Sequence, residues 1–94
     1  MKKRLVPTSQ YKKDLKRFLN QPKKLAALRQ ILILLENGEP IPEEYYPHML
    51  HHDYEGCWEC HIQGDFLLVW ISDEFISLVR LGSHSELFGN GRKK

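Results

Sequence analysis

Between Ile31 and Val79 the chain has no lysine or arginine, although it carries 14 of them in 94 residues. Ten of the 12 acidic residues fall in that same stretch. The cations gather at the two ends: ten lie within Met1–Gln30, where Asp14 is the sole acid, and four lie from Arg80 onward, beside Glu86. A formal net charge of +2 therefore hides a basic first third, which suits a phosphate-facing surface or an ordinary solvated helix face. Cysteine is scarce as well. Two cysteines three positions apart cannot build the disulfide framework of a small secreted domain. The longest apolar run, Phe66–Ile71, is far too short to span a membrane. The basic N-terminus, Met1–Pro7, lacks the apolar stretch and small-residue cleavage site of an export signal. These absences point to a cytoplasmic protein with no membrane partner, folded as one domain over residues 1–94.

The pattern along the chain is clear enough to place elements. Lys3–Val6 reads as a short strand halted by Pro7. Thr8 or Ser9 offers an N-cap to a helix whose apolar positions, Tyr11, Leu15, Phe18 and Leu19, recur at helical spacing with lysines on the outer face. Asn20-Gln21-Pro22 breaks it and starts a second helix with the stripe Leu25, Leu28, Leu32 and Leu35, ended by Asn37-Gly38. Glu39–Pro47 holds three prolines and is a loop. Three β-rich runs follow, Gly56–Ile62, Phe66–Ser72 and Phe75–Leu81, separated by short turns. The expected fold is an α+β domain of order β-α-α-β-β-β, with both helices packed on one face of a small sheet.

Cys57-Trp58-Glu59-Cys60-His61 matches the C-x-x-C-H pattern of c-type haem attachment and contains the C-x-x-C of redox and zinc sites. On a strand, residues three apart point to opposite faces. That geometry suits neither haem, nor a disulfide, nor shared metal ligation. No second C-x-x-C or H-x-x-x-H supports a zinc set. The expectation is no haem, no metal and no other cofactor, with Cys60 in the core and Cys57 near the opposite face.

The same alternation brings Glu59 and His61 to one face, away from Trp58, Cys60 and Ile62. Arg80 lies near the end of the third run and His84 just beyond it. His48 precedes the first run and Asp65 opens the second. His48, Glu59, His61, Asp65, Arg80 and His84 are thus positioned to converge at one end of a sheet. Metal-free RNA cleavage needs a base for the 2′-OH, an acid for the leaving 5′-oxygen and a cation for the charge growing on phosphate. Histidine suits both proton roles and arginine the third. His51 and His52 read as solvated.

The residues from Tyr46 to Gly89 resemble the C-terminal half of the YafQ branch of the RelE toxin superfamily. The matching pieces are His48-x-Leu50, Gly56, Glu59-x-His61, Asp65-Phe66 and Arg80-x-Gly82-Ser83-His84-x-x-Leu87-Phe88-Gly89. The first half fits more loosely, through a short strand, Ser9-Gln10-Tyr11-x-Lys13-Asp14 and two helices. The resemblance implies a ribosome-dependent mRNA endonuclease held silent by a cognate antitoxin, with 70S ribosome and messenger RNA as its other partners. It implies acid/base roles for His48, His61, Asp65 and His84, with Glu59 standing where relatives carry aspartate. It also implies a phosphate contact for Arg80, and aromatics that hold the RNA or the site at Phe66 and Phe88. Two departures stand out. Cys57-Trp58 replaces a Tyr-Arg pair, and Phe66 replaces a tryptophan. With that arginine gone, RNA contacts fall to Lys12, Lys13 and Lys16 and to the tail Arg92-Lys93-Lys94. A gyrase-binding toxin of the ParE type shares the superfamily fold and is the alternative; it has no need of the His/acid set.

Overall fold

A computed structural model describes residues 2–89. Leu5–Pro7 is a strand, β1, and Thr8 caps the helix that follows, its hydroxyl accepting from the Tyr11 N–H at 3.2 Å. That helix, α1, spans Ser9–Lys16, and Pro22 opens the second helix, α2, over Pro22–Glu36. Gly38, at φ 70°, reverses the chain after α2 in a conformation glycine adopts without steric cost. The remaining elements are β2 (His48–Met49), β3 (Trp58–Gln63), β4 (Phe66–Ser72), β5 (Ile76–Gly82), a short helix α3 (His84–Phe88), and two single 3-10 turns at Glu43–Tyr45, inside the expected loop, and His52–Tyr54.

The five strands lie in the order β1-β5-β4-β3-β2. β1 runs parallel to β5, and every other neighbouring pair is antiparallel. One sheet face presents Cys60, Ile62, Phe66, Leu68, Trp70, Ile76, Leu78 and Leu81 to the helices, which add Tyr11, Leu28, Ile31 and Leu35. Phe18, just after α1, completes this main core. The second face is not bare. Leu67 and Val69 pack there with Cys57 and Leu87, flanked by Leu50, Tyr54, Val79 and Phe88. β4 is covered on both faces, which is why it reads as a continuous apolar run rather than an alternating one.

The structure corrects the expected helix faces. Leu19 is 62% exposed, because α1 has ended before it and the helical spacing no longer applies. In α2 the fully buried positions are Leu28, Ile31 and Leu35, while Leu25 and Leu32 lie at the margin of the core. β2 and α3 are additions to the expected order.

A β-bulge decides which way Arg80 points. Ile76 and Leu78 face the helices, so strict alternation would send residue 80 the same way. Pairing with β4 slips between Val69 and Trp70: Trp70 opposes Leu78, but Val69 opposes Arg80. The extra residue, Val79, turns Arg80 onto the second face and returns Leu81 to the core.

Candidate active site

The second face carries a row of polar side chains set by strand register. His48 on β2 lies opposite Glu59 on β3, Glu59 opposite Val69 on β4, and Val69 opposite Arg80 on β5. Directly opposed residues share a face with their Cβ atoms about 5 Å apart, so His48 and Glu59 must meet. His48 Nε2 is 3.1 Å from Glu59 Oε1, and His61 Nε2 is 3.9 Å from the same oxygen. The other ring nitrogen of His48, Nδ1, lies 2.9 Å from the Tyr46 carbonyl. A carbonyl only accepts, so Nδ1 carries a hydrogen. The short Nε2–Oε1 contact then needs one more proton, on the imidazole or on the carboxyl. His48 Nε2 and Glu59 Oε1 are close enough to share a proton.

Glu59 is only 2% exposed, and its Oε2 has no hydrogen-bond partner among the described residues. Burial pushes its carboxyl above the usual carboxylate range, and the opposing pull of His48, His84 and His61 does not cancel that push. A buried, half-unsatisfied carboxyl is destabilising, and in a site it is a group kept ready to exchange a proton.

At the other end of the row stands His84, the first residue of α3. Ser83 caps this helix through a capping box with Glu86. Asp65, at the start of the β3–β4 turn's exit, accepts from the His84 N–H at 3.0 Å and from its ring Nδ1 at 2.8 Å. These two hydrogen bonds, the backbone one first, hold the Asp65 carboxyl below its ordinary value. An ionised Asp65 fixes the Nδ1–H tautomer of His84 and leaves Nε2 free to take or give a proton. His61 stands between the two ends, its ring centroid 5.5 Å from His84 and 6.4 Å from His48. The structure therefore brings His48, Glu59, His61, Asp65 and His84 into one continuous cluster.

Arg80 is on the same face but is not a free cation. Its Nε and Nη2 donate to Asp14 at 2.8 and 3.3 Å, and its Nη1 donates to the Tyr54 hydroxyl at 2.9 Å. Burial pushes the Asp14 carboxyl up, but the hydrogen bonds from Arg80, the Leu81 N–H and Gln10, with the Arg80 charge, outweigh it and hold the group below its usual range. Asp14 thus locks α1 to β5 through Arg80. Tyr54 then links Arg80 onward: its hydroxyl also donates to the Leu87 carbonyl, and its ring meets Phe88 edge-on at 5.6 Å. Arg17, half exposed, lies 3.5 Å from Asp14 and 3.8 Å from Glu86.

Several expected RNA contacts are placed differently. Phe66 is 1% exposed and packs on Phe18 at a centroid distance of 4.7 Å, because residue 66 falls on the helix-covered side of β4. It is a core residue and offers no face to a base. Phe88 is partly exposed, 5.9 Å from the His84 ring. Lys12, Lys13 and Lys16 are all exposed on α1. Arg92 and the rest of the basic tail lie outside the described residues. Cys60 is buried in the main core and Cys57 in the opposite cluster; burial raises both thiols, Cys60 to about 12. Asp14, Tyr54, Arg17 and Tyr46 escaped sequence reasoning. Only Asp14 left a signal, as the lone acid of the basic third.

A family model described as "Bacterial toxin of type II toxin-antitoxin system, YafQ" matches residues 3–89. The chain belongs to the YafQ toxin family. It is 31% identical over 84 residues to the mRNA interferase toxin YafQ of Escherichia coli K12, covering 87% of this chain and 91% of that one. It is similar to YafQ in the E. coli DinJ–YafQ toxin–antitoxin complex, with a TM-score of 0.83, 28% identity, and coverage of 95% of this chain and 100% of that one. A metal-bound toxin from Helicobacter pylori superposes with a TM-score of 0.81 at 33% identity, covering 94% and 100%. The expected α+β toxin fold is therefore the observed one, and the matching family is not the gyrase-binding one. In this YafQ-family chain Glu59, His61 and His84 could hold a cation, since one ligand atom from each lies within 4.8 Å of the others.

Proposed function

We propose that the chain is an endoribonuclease that cuts messenger RNA on the ribosome by metal-free proton transfer and is silenced by a cognate antitoxin. The observation that carries this reading is the convergence of His48, Glu59, His61 and His84 in one row on one sheet face, with Asp65 behind His84. One end takes the proton from the 2′-OH of the scissile nucleotide. The 2′-oxygen attacks phosphorus and the bond to the 5′-oxygen breaks. The other end gives its proton to that leaving oxygen, and the product keeps a 2′,3′-cyclic phosphate. His84, oriented by Asp65, serves one end; Glu59 and His48, within reach of sharing a proton, serve the other, beside His61. Arg80 meets the phosphate charge through Nη1, where a phosphate oxygen would replace the Tyr54 hydroxyl, and Arg17 adds a second positive charge nearby.

The chemistry of the donor set, two imidazoles and a carboxylate with one unpartnered oxygen, does suit a borderline divalent cation such as zinc or copper. Glu59, His61 and His84 would hold it, and it would supply Lewis-acid polarisation. The proton route needs the same atoms unliganded. Cleavage should therefore survive chelator at levels that leave ribosomes intact and fall on addition of zinc or copper. Strict dependence on added metal would contradict the proposal. The direct experiment mixes purified toxin with ribosomes programmed with message. His84→Ala should lower cleavage by about 10²–10⁴-fold, and the products of the wild type should end in a 2′,3′-cyclic phosphate or 3′-phosphate.

A further inference from the structure

Four rings follow one another along the site, His48, His61, His84 and Phe88, with successive centroids 6.4, 5.5 and 5.9 Å apart, and the Tyr46 ring packs beside the first pair, 4.7 Å from His48 and 5.6 Å from His61. Phe88 closes one end of the row. The Tyr46 ring flanks the His48–His61 pair, and the proton chemistry leaves that ring without a part. Its ring is 63% exposed, while the neighbouring Tyr45 turns into the main core. Its backbone is left-handed, φ 52° and ψ 56°, a conformation unfavourable for a bulky side chain. The following Pro47 restricts it further. The Tyr46 carbonyl explains the backbone, since it accepts from His48 Nδ1, but any side chain would leave that carbonyl in place. Burial does not explain the ring either. What remains is a large apolar face held in water, touching His48 on one side and meeting His61 edge-on at 5.6 Å.

We infer that Tyr46 is a nucleobase platform: its exposed face stacks on a base beside the scissile phosphate, on the side of the site away from Phe88. The inference rests on the ribonuclease reading above. Single-stranded RNA is held chiefly by splaying its bases onto aromatic rings. A 2′-OH attack needs the sugar and the phosphate that follows it held in line, and a ring beside His48 and His61 together with Phe88 beyond His84 grips the nucleotides on both sides of that bond. Stacking tolerates any base, so Tyr46 contributes affinity and register more than sequence choice.

The test compares wild type with Tyr46→Ala, Tyr46→Phe and Tyr46→Trp on ribosome-bound message, each checked for fold by circular dichroism. Loss of the ring should raise KM by about 5- to 150-fold, the range that base–aromatic stacking supplies, with kcat little changed. Phenylalanine and tryptophan should restore the wild-type KM. A merely structural role would not give this split or this rescue. Unchanged KM in folded Tyr46→Ala overturns the inference, and so does Tyr46→Phe behaving like Tyr46→Ala, which would assign the function to the hydroxyl. A second measurement works without cleavage. Emission of Tyr46→Trp should be quenched by a single-stranded oligoribonucleotide beyond the quenching of Trp58 and Trp70 in wild type. If wild type cuts no message, the ribonuclease reading fails by itself, and this quenching alone decides the platform: its presence supports the stacking ring and its absence removes it.

Discussion

Two carboxylates in this molecule are buried to the same degree and shifted in opposite directions, Asp14 downward and Glu59 upward. The difference is hydrogen-bond supply. Asp14 accepts from Arg80, the Leu81 N–H and Gln10, whereas Glu59 has one oxygen without a donor among the described residues. Their effects on stability therefore run in opposite senses with pH. Asp14 stabilises the fold above the ordinary carboxylate range, and that contribution is lost as pH falls through its depressed value. Glu59 favours the fold fully below that range, and its contribution is lost as pH rises through its raised value. Asp14→Asn should cost about 3 kcal/mol, the lower end for breaking a buried ion pair because Arg80 keeps some solvent, and the gap to wild type should narrow in acid. Glu59→Gln should match or exceed wild-type stability at neutral pH, while cleavage drops by about 10²–10⁴-fold. Urea titrations at several pH values check both signs; parallel pH dependences for the two variants would contradict the assignment. Glu59 and His61 could be placed on one face from sequence alone because alternation along a strand is a local rule. The Asp14–Arg80 lock could not, since it joins residues 66 positions apart.

At the level of elements, the site depends on two devices that period-two reasoning does not contain. One is the bulge at Val79, without which Arg80 would point into the helices and Leu81 out of the core. The other is the junction Gly82-Ser83-His84. A Cβ on Gly82 would come within 2.6 Å of Glu86 Oε1, the oxygen that accepts from the Ser83 N–H in the capping box. Gly82→Ala should therefore displace Glu86 and loosen α3. Ser83→Ala removes the cap itself, worth about 1 kcal/mol. Because α3 has five residues, the loss should appear as faster amide exchange over 84–88 and weaker cleavage rather than as global unfolding. Unchanged exchange in α3 would argue against the cap. Cys60 on β3 and Cys57 just before it pack on opposite sides of the sheet. Cys57→Ser should leave cleavage largely intact, and Cys60→Ser should cost stability, since a hydroxyl would then sit unpaired in the core. β1, β3, β4, β5, α1, α2 and the faces of β3 were legible in the sequence because each follows from local pattern. β2 and α3 were not, because elements of two and five residues carry too little period to detect.

For the molecule as a whole, charge and chemistry occupy different parts of the chain. The acidic middle supplies Glu59 and Asp65 to the site, while exposed Lys12, Lys13 and Lys16 lie on α1. An acidic, amphipathic antitoxin segment lying against that helix face, or across the site near His84, would neutralise the toxin. If it uses the helix face, reversing the three lysine charges should slow association and flatten its salt dependence; unchanged association at low salt would place the antitoxin elsewhere. The central claim concerns the bond that is made. Wild-type protein should be given ribosomes programmed with message carrying 2′-deoxy or 2′-methoxy at the scissile nucleotide, beside the unmodified message. The proton row predicts cleavage of the unmodified message alone, with no cut at the blocked position. Equal cleavage of both would show that the 2′-OH is not the nucleophile, and the account of this site would be wrong.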